Sequence, residues 1–79
     1  MVEISLARFK QMIAGFARIP PSEVDDEHKM SDLLEEGEIE DLVFDLESGC
    51  LHKALPLDLG EKFREQTVKG AYDHLLTFL

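Results

Sequence analysis

The segment LLEEGEIEDLVFDLE, residues 33–47, decides the fold, because its apolar side chains recur with the period of an α-helix. One continuous stripe at i, i+3, i+4, i+7 and i+11 is formed by Ile39, Leu42, Val43, Leu46 and Cys50. The spacing predicts a helix from near Glu38 to about Ala54, closed by Pro56, with this stripe facing a core. The same segment holds seven acidic side chains and no serine.

The charges at the two ends of this predicted helix suit its dipole. Carboxylates lie in or just before the first turn, and His52 and Lys53 lie in the last. Gly49 falls inside the helix, where it lowers stability relative to Ala. We therefore expect a bend at Gly49, or a neighbouring segment that approaches closely there.

A first helix is predicted over residues 4–17. Its apolar positions, in steps of three and four, are Leu6, Phe9, Ile13 and Phe16. A pair of prolines ends it. The acidic run that follows, up to residue 29, is predicted to be an ordered loop, in which Ser22 and Asp25 are spaced to cap a short turn.

Two further helices are predicted after the second. A short one covers residues 58–65, where Asp58 and Glu61 have the spacing of a capping box, and Thr67 caps the last. The stripe of the last helix is Val68, Ala71, Tyr72 and Leu75. The fold class is therefore all-α: a four-helix bundle of three long helices and one short one, with a long first loop, as a single domain over residues 1–79.

The net charge of −9 is concentrated in the middle of the chain. Residues 1–22 carry +2, residues 23–47 carry −11, and the remaining charges cancel. Nucleic acid and anionic membranes would be repelled, whereas a basic protein surface is a suitable partner. The predicted docking side chains are Glu36, Glu38, Glu40, Asp41, Asp45 and Glu47. A merely solvated acidic face is the alternative, but no Lys or Arg occurs between Lys29 and Lys53 to compensate it.

The remaining composition predicts a monomeric cytoplasmic protein without catalytic or metal-binding residues. Cys50 is the single cysteine, and neither a signal peptide nor a membrane-spanning run is visible. Cys50 and His52 would point about 200° apart on a helix, so we expect a buried, inert thiol. His28 and His74 are isolated, and the carboxylates lack the contrasting environments that acid–base catalysis needs. We therefore expect neither an enzyme nor a metal site.

In helix order and loop lengths, the chain resembles the acyl carrier protein family. SEV at 22–24 resembles the turn that opens the family's long loop, ALPLDL at 54–59 resembles the exit from its second helix, and TV at 67–68 resembles the start of its last helix. The resemblance covers nearly the whole chain. It implies a role in fatty acid or polyketide biosynthesis, with synthases or acyltransferases as partners that dock on the acidic second helix.

The family's Asp-Ser-Leu motif, whose serine carries 4'-phosphopantetheine, is absent. Counting from SEV places Glu38 at the serine position, whereas counting back from Leu46 and Glu47 places Glu36 there. Neither can accept the phosphodiester, and neither Ser31 nor Ser48 has the family's setting. The resemblance implies 4'-phosphopantetheine, but the missing serine predicts a module without this cofactor.

Several alternatives remain open. The carboxylate of Glu38 either reflects only the preference for acidic residues at a helix start, or imitates the charge of the phosphodiester. The protein as a whole either docks on enzymes of acyl metabolism, or is an acidic decoy that occupies a nucleic-acid-binding protein, or is an ordinary carrier modified at another serine. Phe44 and Leu51 lie off the main stripe, and either seal an acyl pocket or form a second contact face.

Overall fold

The protein folds into helices joined by turns and by one long loop between the first helix and the second. Its computed structural model describes residues 4–52 and 54–79, without the side chain of Cys50. In this part of the chain the α-helices are α1 (Leu6–Ala17), α2 (Met30–Leu33), α3 (Glu36–Asp45), α4 (Leu59–Arg64) and α5 (Val68–Leu76). A 3₁₀ turn (Pro21–Glu23) and a π-helical segment (Leu46–Leu51) accompany them. No strand occurs among the described residues, which confirms the helical prediction, but the helices there number five instead of four.

The first and last helices follow the predicted stripes. Ser5 caps α1 by accepting a hydrogen bond from Arg8 N–H at 3.1 Å, so the helix begins at Leu6, two residues later than predicted. Thr67 caps α5 as predicted, since its Oγ1 accepts a hydrogen bond from Gly70 N–H at 3.1 Å. The four apolar residues of the α5 stripe are all buried.

The core is one cluster to which all the longer helices contribute. The Phe9 ring packs edge-on against Phe63 at 5.9 Å between centroids and lies 5.8 Å from Tyr72. The Tyr72 hydroxyl donates a buried hydrogen bond of 2.7 Å to the carbonyl of Ile4, joining α5 to the residues before α1. The radius of gyration is 11.1 Å, against about 11.6 Å expected for a compact chain of this length.

The long first loop is bonded to the start of α5. Val68 N–H donates to the His28 carbonyl at 2.8 Å, and Lys69 N–H donates to the Asp26 carbonyl at 3.1 Å. Lys10 on α1 forms an ion pair with the Asp26 carboxylate. The two backbone hydrogen bonds satisfy N–H groups that the start of α5 leaves without a partner inside the helix.

Two details of this region differ from expectation. Ser22 lies inside the 3₁₀ turn and does not cap it. Helix α2 was not predicted, because four residues make a single turn and show no periodicity.

The second predicted helix is altered at both ends. It begins at Glu36, two residues early, because Glu38 Oε1 accepts a hydrogen bond from Glu35 N–H at 3.0 Å, as in a capping box. After Asp45 it continues as the π-helical segment and ends with His52 in a left-handed conformation (φ 50°), so it does not reach Ala54. The predictions for the Cys50 thiol and for Lys53 lie outside the described residues.

The π-helical segment changes which residue follows Leu46 in the core, and it contains Gly49. A π-helix bonds residues five apart, and the core position after Leu46 falls on Leu51, which is buried. No atom of the described residues lies within 4 Å of a Cβ built at Gly49, so the predicted close approach of a neighbouring segment is wrong. Gly49 lies instead inside the π-helical segment.

Helix α4 packs on α3, which positions the candidate site. It runs over Leu59–Arg64, slightly shorter than predicted. The predicted capping box is wrong, because Asp58 makes no side-chain cap. Gly60 lies at the contact between the two helices, where an added Cβ would meet Ile39 Cγ2 at 3.8 Å.

Candidate protein-docking face

Helix α3 and the first residues of the π-helical segment that continues it present one apolar and one acidic side. Ile39, Leu42 and Leu46 are buried on the first. The six predicted docking residues, Glu36, Glu38, Glu40, Asp41, Asp45 and Glu47, lie around the rest of the helix and are called the acidic face below. Four of them are exposed, whereas Glu38 and Glu47 are half-buried.

Three carboxylates of the acidic face are engaged within the protein. Glu36 lies 3.6 Å from the Arg64 guanidinium of α4. Glu38 caps α3, as described above. Glu47 Oε1 accepts a hydrogen bond from Leu55 N–H at 3.2 Å, and so fixes the chain that leaves the helix. Glu38 and Glu47 therefore contribute to folding as well as to charge, whereas an exposed ion pair such as Glu36–Arg64 contributes little.

The other three carboxylates, those of Glu40, Asp41 and Asp45, are exposed and form no ion pair or hydrogen bond within the described residues. Asp41 and Asp45 are four residues apart on the helix, the spacing at which side chains are neighbours and like charges destabilise. These three are the exposed carboxylates of the acidic face that could pair with a partner without giving up a contact in the described part of the chain.

The last helix shows the opposite arrangement at the same spacing. Lys69 Nζ donates a hydrogen bond to Asp73 Oδ1 at 2.7 Å, and this bond raises the pKa of Lys69. Opposite charges four residues apart therefore stabilise α5. The like charges on α3 are not a general property of the helices of this chain.

An apolar groove beside the acidic face was not predicted as a unit. Phe44 on α3 is 65% exposed, and Leu57, in the link to α4, is fully exposed. Together with Val43, Pro56 and Gly60 they line a groove of about 270 Å³, called the α3–α4 groove below. Its remaining lining residues are Glu40, Glu47 and Glu61.

The structure places Phe44 and Leu51 apart, and the choice between sealing an acyl pocket and forming a second contact face stays a prediction. Phe44 faces outward, whereas Leu51 belongs to the core. The departure of Phe44 from the apolar stripe was the available signal for the groove. Leu57 gave no comparable signal, since Leu55 and Leu59 on either side of it are both buried.

Neither serine considered for modification lies at the start of α3. Ser31 is exposed on α2 and lines a second, polar cavity of about 350 Å³ with Glu61, Arg64 and Glu65. The Ser48 hydroxyl donates a hydrogen bond to the Phe44 carbonyl at 2.9 Å.

The other residues considered for chemistry lie apart from the groove's lining. His28 Nδ1 accepts a hydrogen bond from Asp25 N–H at 3.2 Å in the first loop, and the His74 ring packs edge-on against Phe78. In residues 4–52 and 54–79, no group of three or more His, Cys, Asp or Glu is placed to hold a metal ion. No helix of that part has the length and apolar character needed to cross a membrane.

Comparison of the chain with protein-family models, with curated proteins and with solved structures finds no match.

Proposed function

We propose that this chain is an acyl-carrier-protein-like module that carries no pantetheine at the family position and acts by docking α3 on basic partner proteins. The observation that carries this proposal is the exposed, unpaired state of Glu40, Asp41 and Asp45 on one helix. Lys and Arg side chains of a partner would replace repulsion between these carboxylates with attraction.

The family part of the proposal is supported by the order of the longer elements. Helices α1, α3, α4 and α5 correspond to the four helices of the proposed bundle, and α2 lies within the long first loop. The proposed partners are synthases or acyltransferases of fatty acid or polyketide biosynthesis. The protein is proposed to bind them in the cytoplasm as a monomer.

Glu36 and Glu38, the two residues that can correspond to the family's serine, both lie at the start of α3. Glu36 is the first residue of α3, and Glu38 is the third, engaged in capping. Both carry a carboxylate where the family carries a hydroxyl, so both alignments give a module without cofactor. Incubation with coenzyme A and a promiscuous phosphopantetheinyl transferase should leave the mass unchanged. A mass increase that disappears in Ser31→Ala or Ser48→Ala would establish the modified-carrier alternative.

Docking is tested by reversing the charges that have no partner. The variant Glu40→Lys/Asp41→Lys/Asp45→Lys should lose partner proteins that the wild-type chain retains from a cell extract, as identified by mass spectrometry. The loss should be reproduced with each purified partner by titration at low salt, where surface charges are least screened.

A matched control separates the acidic face from overall charge. Glu23→Lys/Glu27→Lys/Glu65→Lys changes the net charge equally at exposed positions that lie outside α3 and outside the lining of the groove. It should retain the partners. If both variants lose the same proteins, binding follows net charge only and the docking proposal is wrong.

The identity of the retained proteins distinguishes the two classes of function. Enzymes of acyl metabolism support the proposal. If the retained proteins bind nucleic acid, and the wild-type chain displaces DNA from them, the acidic-decoy alternative holds instead.

The phosphodiester-mimic hypothesis for Glu38 needs a substitution that preserves the cap. Glu38→Gln keeps an oxygen that can accept from Glu35 N–H but removes the charge. Mimicry predicts weaker binding to a partner that has a phosphate pocket. Unchanged affinity at low salt would leave Glu38 with its capping role only.

A further inference from the structure

We infer that the α3–α4 groove binds a basic amphipathic helix of the partner, with an apolar side chain seated between Phe44 and Leu57. This inference rests on the proposed docking function and specifies how that docking occurs. It adds an apolar anchor to what would otherwise be contact between charges.

The first argument is the exposure of large apolar side chains at one place. Among the described residues, the exposed large hydrophobic side chains are those of Phe44, Leu57 and Leu79, and the first two line the same groove. Eighteen other hydrophobic residues of the described chain are buried, so the fold has the means to cover apolar surface. A contiguous exposed apolar patch with a polar rim is typical of an interaction site.

The second argument is the charge of the rim, which selects the occupant. Glu40, Glu47 and Glu61 line the groove, and none of its lining residues is basic. A second copy of this chain would bring another acidic face against them, and a fatty acid would bring a carboxylate. A partner with cationic side chains around an apolar one complements both parts of the groove.

The third argument concerns the size and shape of the groove. Its volume of about 270 Å³ is below the range of about 300–1,000 Å³ that is usual for small-molecule sites. This volume accommodates apolar side chains of a larger partner, and the charge of the rim favours such a partner over a fatty acid. The groove lies between α3 and the segment that leads into α4, and an amphipathic helix laid in such a groove presents its apolar stripe inward and its Lys and Arg outward to the rim.

The test uses two synthetic peptides and the full chain. One peptide is an 18-residue helix-forming sequence of Leu and Lys with Leu at helical spacing, and the other is a scramble of equal composition and charge. Fluorescence anisotropy at fixed salt should give at least about tenfold tighter binding of the amphipathic peptide, the size of effect expected of an interface anchor.

Variants locate that difference in the groove. Phe44→Ala/Leu57→Ala should reduce the affinity for the amphipathic peptide to that for the scramble. Leu79→Ala, which removes an exposed apolar side chain outside the groove, should leave the tenfold difference unchanged. Because these side chains are exposed, circular dichroism should show wild-type folding in both variants.

The outcomes separate this inference from the docking proposal. If both peptides bind equally and the triple Lys variant at positions 40, 41 and 45 abolishes both, docking stands and the apolar anchor is refuted. If neither peptide binds, the inference is refuted, and the cell-extract experiment decides on docking. If sedimentation shows a dimer that Phe44→Ala dissociates, a second copy occupies the groove, and the inference is again refuted.

Discussion

Replacing Asp41 with lysine should stabilise the fold while weakening docking. Asp41 and Asp45 are exposed like charges four residues apart on α3, a spacing that destabilises a helix by about 0.2–0.5 kcal/mol. Asp41→Lys converts this repulsion into an attraction of similar size, a total gain of about 0.4–1 kcal/mol. Since 1 kcal/mol shifts the Tm of a domain of this size by about 4–8 °C, we expect a rise of about 2–8 °C.

The assay is thermal unfolding followed by circular dichroism at low and at high salt. Asp41→Asn removes the charge without adding one, so it should give about half the gain, 0.2–0.5 kcal/mol. Both gains should shrink in about 1 M salt, where the screening length falls to about 3 Å. The same Asp41→Lys variant should bind the proposed partner more weakly at low salt.

Two results would refute this reasoning. If Asp41→Asn leaves the Tm unchanged at low salt, the carboxylates of α3 do not repel one another appreciably. If the gain of Asp41→Lys persists in full at high salt, its origin is the better helix propensity of lysine and not charge. Either result removes the argument that the acidic face is maintained at a cost in stability.

Two further substitutions test bonds that hold the fold together. Tyr72→Phe removes the buried hydrogen bond to the Ile4 carbonyl and leaves that acceptor unpaired. Urea denaturation should show a free energy of unfolding lower by about 1–3 kcal/mol. An unchanged value would mean that this bond does not hold α5 to the residues before α1. Thr67→Ala removes the cap of α5 and should lower the free energy of unfolding by about 0.5–2 kcal/mol. Ser22→Ala removes no cap and should change it by less than about 0.5 kcal/mol. Equal losses in the two variants would contradict the capping role of Thr67.

The parts of the fold that could be predicted from the sequence are those set by local periodicity. The predicted stripes of α1 and α5 and the predicted cap at Thr67 agree with the structure. Each depends only on residues three or four positions apart along the chain. The predicted start of α3 lies two residues too late, because Glu35 is not one of the preferred capping residues. Only the hydrogen bond from Glu35 N–H to Glu38 shows that Glu35 caps the helix.

The candidate site was predictable only in its charge. The acidic residues follow directly from the sequence. Their division into engaged and unpaired carboxylates depends in part on Arg64, 28 residues after Glu36, and on Leu55, eight residues after Glu47 and beyond the end of the helix. The groove requires the same long-range information, because Leu57 is apolar, has buried leucines two residues to either side, and faces outward only through the path of the link.

The π-helical segment at Leu46–Leu51 has a consequence for chain length in this region. A turn that bonds residues five apart holds one more residue than the α-helical turn it replaces, so the helix accommodates an insertion without displacing the leucines at either end. Related chains that lack one residue near Gly49 would then keep the same core with an uninterrupted α-helix, and an alignment that forbids a gap there would shift every later residue out of register.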